Sequence, residues 1–150
     1  MQKTANKDIA YVTGTDVEKL RPALTAMLEE AAQGNPFAAE ELNPQELVDL
    51  AAIGMAVFFV AGEGDEIETI LAIRFSDISG KKCAEILALA GKHLLLFKAL
   101  YWDTIIQWLE QNDVDFLDAC VPSERASIYM NKFGFDTQAA VIRRHLEKSK

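Results

Sequence analysis

The period of the hydrophobic pattern changes at Gly54, and that change limits the chain to a mixed architecture. Before it, apolar residues recur at helical spacing. After it, Met55 to Ala61 is a continuous apolar run, and Ile67, Thr69, Leu71, Ile73 and Phe75 alternate with the residues between them. Two strands joined by a hairpin follow, with Gly62-Glu63-Gly64-Asp65 as the turn and its glycines expected at positive φ. A phosphate cradle does not fit those four residues, because no helix follows and two carboxylates would face the anion.

The remaining elements fall on both sides of this hairpin. Asp8 to Thr13 reads as a first strand, and Thr15 with Glu18 forms a capping box that opens a helix to about Gln33, with Pro22 inside it. Asn43-Pro44-Gln45-Glu46 supplies an N-cap, a first-turn proline and a second box for a shorter helix ending near Gly54. Ser79-Gly80-Lys81 turns the chain into a strand from about Cys83 to Ala90. A long helix covers His93 to Gln111, a strand Asp115 to Val121, a short helix Pro122 to Lys132 stopped by Gly134, and a last strand Phe135 to Leu146. The order β, α, α, β, β, β, α, β, α, β predicts a single α/β (α+β) domain over residues 1–150, with a mixed, mostly antiparallel sheet and helices on both faces.

Charge and cysteine spacing exclude several functions. Fifteen Lys plus Arg against 23 Asp plus Glu leave a net charge of -8, which repels nucleic-acid backbones and anionic membranes. The longest apolar stretch, Ile53 to Ala61, is too short to span a bilayer, and Met1 to Lys7 has no apolar core of an export signal. A soluble, cytoplasmic protein is expected. Cys83 and Cys120 have no metal-ligand partners at short spacing, so no metal site is expected and both read as small core residues. Nucleophile-elbow, zincin, Walker and dinucleotide-binding motifs do not occur.

The long helix carries two apolar stripes. Leu95, Ala99, Trp102, Ile106 and Leu109 form one, assigned to the sheet; Phe97, Tyr101, Ile105 and Trp108 form another, about 140–180° away. Either another element of the chain covers this second stripe, or a second copy or a protein partner does. Exposed, it would amount to several hundred Å², about the largest patch a monomer tolerates, and a homo-oligomer or protein partner on these four residues is the expectation.

The element order, with Ala126, Lys132 and Gly134-Phe135 around the last helix, resembles the GNAT superfamily of N-acyltransferases. The resemblance implies acetyl-coenzyme A-dependent transfer to a small-molecule or protein amine. The pantetheine arm would pair with the backbone of Leu87, Ala88 and Leu89, and the pyrophosphate would lie at Gly91, Lys92 and His93, where the next helix begins. Ser123 occupies the place of the family's cofactor-contacting Asn, and Met130 that of its acidic Tyr. A thioether has no proton to give, so Tyr129, one residue earlier, either serves as acid from a shifted register or packs as an ordinary aromatic. Glu85, the one carboxylate on its strand, is the candidate base.

Departures from the family pattern shape the expectation. Leu94, Leu95 and Leu96 stand where the family has glycines that let the phosphates approach, which implies weak or absent acetyl-coenzyme A binding, above about 100 μM. The chain also ends about one strand early and is similar in this to shortened phage-encoded GNAT-like proteins, which work in a host cytoplasm. The alternative function is therefore a catalytically silent GNAT-fold interaction or virion-associated protein acting through the second stripe of the long helix.

Overall fold

A computed structural model describes residues 2–3, 9–33, 43–62, 66–92, 94–120, 126–138 and 142–147. The elements are β1 (Gln2–Lys3), β2 (Ile9–Val12), α1 (Val17–Gln33), α2 (Pro44–Ala52), β3 (Ala56–Ala61), β4 (Thr69–Ile78), β5 (Lys81–Gly91), α3 (Leu94–Gln111), β6 (Phe116–Ala119) and α4 (Ala126–Phe133). They fall into two compact units, Met1–Cys120 and Val121–Lys150.

The first unit holds a six-stranded sheet in the order β1-β2-β3-β4-β5-β6. Every neighbouring pair is antiparallel except β5 and β6, which run parallel. A parallel pair needs a crossover, and α3 supplies it. Ser79 (φ 52°) and Gly80 (φ 79°) turn β4 into β5 with both central residues left-handed, the geometry that matches strand twist. The start of β6 is set by Asp115, whose N–H donates to the Lys82 carbonyl (2.8 Å) while its carboxylate accepts from the Lys82 N–H (2.9 Å).

Alternation along the strands separates two apolar faces. Val12, Phe58, Val60, Ile70 and Ala72 pack with Leu24 and Leu28 of α1 and Leu47, Val48 and Ala51 of α2. On the other face Trp108 of α3 lies over Phe59 (ring centroids 5.2 Å), Tyr11 (5.3 Å) and Phe75 (6.2 Å). Trp108 is half-buried there, and Phe97, Tyr101 and Ile105 of the same stripe are buried, at 4%, 8% and 0% exposure.

The stripe assigned to a partner is therefore the one packed within the chain, which corrects the interface expected at Phe97, Tyr101, Ile105 and Trp108. Of the other stripe, Ala99 is exposed, Trp102 and Ile106 are half-buried and Leu109 is buried; the side chain of Leu95 lies outside the described residues. Both stripes satisfy a helical period. The large rings of Tyr11, Phe59 and Phe75 on the sheet select the aromatic one, since edge-to-face and tilted ring pairs fill that gap.

Local signals were met unevenly. The Asn43 side chain accepts from the Glu46 N–H (3.2 Å), with Pro44 opening α2, as the capping pattern requires. The Thr15 box does not form: a 3-10 turn over Gly14–Asp16 leads into α1. Thr13 instead places its hydroxyl 2.8 Å from the Ala56 carbonyl and 3.2 Å from that of Ala51, joining the end of β2 to β3 and α2. Gly62 does not have positive φ; a Cβ there would overlap the Glu66 carbonyl, so close approach explains this glycine. Glu63 to Asp65 lie outside the described residues.

In the second unit, residues 134–138 and 142–147 carry no strand, against the expected strand Phe135 to Leu146. A local run of strand-forming residues records only a propensity, which tertiary context overrides.

Candidate functional site

The site expected from the sequence centres on the C-terminal half of β5, and the sheet register shows what is distinctive there. β5 and β6 pair from Cys83↔Phe116 to Ile86↔Ala119 and no further, while β5 continues to Gly91. From Ala88 onward β5 is paired on its β4 side, and no strand among the described residues pairs its other edge past Ile86. Edge backbone of this kind can take an extended ligand as an added strand.

The same stretch is irregular. Ala72 faces Ala88 and Ile73 faces Ile86, so Leu87 is an extra residue, a β-bulge that re-aims the backbone where β6 stops. Leu87 and Leu89 are half-buried, Ala88 and Ala90 are buried, and Gly91 and Lys92 are exposed. Five expected cofactor residues, Leu87, Ala88, Leu89, Gly91 and Lys92, thus fall within the six residues 87–92 at the end of β5, ahead of α3. His93 and Ser123 lie outside the described residues.

Gly91 is required by packing. Its φ is 119°, and a Cβ would overlap the Glu68 carbonyl. That close approach lets the Lys92 N–H donate to the Glu68 carbonyl (2.9 Å), while the buried Thr69 hydroxyl donates to the Lys92 carbonyl (2.6 Å). Sequence reading missed Thr69, because in an alternating strand a threonine looks like any β-branched residue.

Glu85 lies one residue before Ile86, where the β6 pairing ends. Its carboxylate accepts from Arg74 Nη2 at 2.6 Å, with both side chains partly exposed. Arg74, Glu85 and Asp118 form a row across β4, β5 and β6 by register. Neither flanking residue was singled out from the sequence, since only strand pairing makes them neighbours.

The thiols differ from expectation in one case. Cys83 is buried, but Cys120 is exposed, which corrects its assignment to the core. Desolvation first, and the nearby Glu85 charge second, push the Cys120 thiol above its ordinary pKa, so it is a poor nucleophile at neutral pH. In the second unit, Tyr129 belongs to α4, its side chain lying outside the described residues. Met130 is exposed, and its sulfur accepts from the Thr137 hydroxyl at 3.1 Å, in keeping with a residue that cannot act as acid.

No known family model and no curated protein matches the sequence. Solved structures do match the fold. A predicted acetyltransferase from Clostridium acetobutylicum, solved with acetyl-CoA, is similar at a TM-score of 0.63 and 14% identity over 91% of this chain and 96% of that one. An aminoglycoside acetyltransferase from an uncultured soil metagenomic sample, in complex with sisomicin, gives 0.63 and 16% over 93% and 95%. Glucosamine-6-phosphate N-acetyltransferase from Arabidopsis thaliana gives 0.60 and 11% over 93% and 99%. The chain shares the fold of these acetyltransferases: a mixed, mostly antiparallel sheet with helices on both faces.

Proposed function

We propose that the chain is a GNAT-type N-acyltransferase that takes an acyl group from acetyl-coenzyme A and passes it to an amine. The observation that carries this reading is the edge of β5 from Leu87 to Gly91, which no strand among the described residues pairs and which begins at a bulge where the parallel β6 pairing stops. The backbone of Leu87 to Leu89 would hold the pantetheine arm by strand-like hydrogen bonds. Lys92, exposed at the start of α3, would meet the phosphates. Bound acetyl-coenzyme A supplies the acyl group as an activated thioester.

The acceptor arrives protonated, and Glu85 is the group proposed to take its proton. Arg74 at 2.6 Å keeps that carboxylate oriented. The resemblance puts Met130 at the family's acid position, and a thioether has no proton to give, so Tyr129, one residue earlier, is the group proposed as acid from a shifted register. The leucines at 94 to 96 predict weak binding, and Leu96 is exposed on the first turn of α3. The acceptor is proposed to be an amine of the small-molecule kind, a choice supported by the metagenomic aminoglycoside acetyltransferase seen in complex with sisomicin.

Titration calorimetry with acetyl-coenzyme A tests the reading. A dissociation constant weaker than about 100 μM, or about -5.5 kcal/mol, is expected. Glu85→Gln should leave this binding unchanged and lower acyl transfer at least about 100-fold, the usual share of a general base. Absence of binding at about 5 mM, a free energy near -3 kcal/mol, would overturn the proposal.

A further inference from the structure

We propose that Thr69 is a positioning residue for the ligand-binding edge of β5, an inference that rests on the function proposed above. Past Ile86 β4 is the one strand among the described residues that pairs this segment, and Ala88 and Ala90 pack into the core beside it. The last register pair is Thr69↔Gly91, and two further bonds close the end: Lys92 N–H to Glu68 carbonyl (2.9 Å) and Thr69 hydroxyl to Lys92 carbonyl (2.6 Å). Together they fix both peptide planes that flank Lys92. Gly91 makes the closure sterically feasible, having no Cβ to meet the Glu68 carbonyl.

The Thr69 side chain thus ties down the far end of the backbone that an extended, amide-bearing ligand would pair with. A hydroxyl is needed, because valine has the same shape and no donor. Thr69 is 96% buried, from an exposure of 4%, and so reaches the ligand only through Lys92 and the strand. Its loss frees the strand end to fray, and a frayed edge must be re-ordered each time ligand binds.

The test compares wild type, Thr69→Val and Thr69→Ser by NMR titration with acetyl-coenzyme A, with amide hydrogen exchange and thermal melting on the same samples. Thr69→Val is expected to weaken acetyl-coenzyme A about tenfold, or 1.4 kcal/mol, to speed exchange at Leu89 to Lys92 about tenfold, and to leave exchange in β3 unchanged. In an acyl-transfer assay KM for acetyl-coenzyme A rises while kcat stays within about twofold, and Thr69→Ser restores both binding and exchange. Undiminished binding by Thr69→Val overturns the positioning role alone. Equal losses in the valine and serine variants, or a collapse of exchange protection throughout the sheet, also overturn it and leave a structural threonine. A wild-type chain that takes up no acetyl-coenzyme A fails the proposed function itself, and the positioning role with it.

Discussion

Replacing Trp108 with Ala removes the ring that lies against Phe59, Tyr11 and Phe75, at 5.2, 5.3 and 6.2 Å between centroids. Truncating a core Trp costs about 3–5 kcal/mol, and because Trp108 is only half-buried the lower figure, about 3 kcal/mol, applies. Against a total of about 5–15 kcal/mol this is a severe loss. At about 2–4 °C per kcal/mol for a chain of this size, the melting temperature should fall by about 6–12 °C. Leu100→Ala is the control: Leu100 lies on the same helix at 52% exposure, and its truncation should stay within about 0.5 kcal/mol. Circular-dichroism melts with sedimentation equilibrium on wild type and both variants supply the measurement. The refuting result is a Trp108→Ala protein that melts within about 2 °C of wild type while a wild-type assembly dissociates, because Trp108 would then belong to an interface.

Gly91→Ala should destabilise the fold by about 1–3 kcal/mol, since alanine is strained at φ 119° and its methyl would meet the Glu68 carbonyl, and urea denaturation reads this directly. Glu18 accepts two hydrogen bonds from Arg21, at 2.7 and 2.9 Å, which hold its carboxyl below the ordinary Glu range. A depressed native pKa contributes stability above the unfolded value and loses it as pH falls through the native one. The stability difference between wild type and Glu18→Gln should therefore be present at neutral pH and vanish in acid; urea midpoints at several pH values measure it, and a difference that grows in acid would contradict the ion pair.

Most of the element list and the class of sheet are legible from the residues alone. Asn43 and Pro44 opened α2, Ser79-Gly80 turned the β4–β5 hairpin, and the apolar runs of β3, β5 and β6 formed, because caps, left-handed turn residues and hydrophobic period act over a few neighbours and are written locally. The candidate strand was legible too, as Leu87 to Gly91 ahead of a helix. Which stripe of α3 faces the sheet was settled by packing across the chain, since Phe97-Tyr101-Ile105-Trp108 and its rival satisfy the same period and the rings on β2, β3 and β4 select between them. Such packing likewise decided that Arg74 stands beside Glu85 and that Thr69 holds Lys92. Those contacts join residues 11 and 23 positions apart, and strand register, which no local pattern encodes, brings them within hydrogen-bond reach.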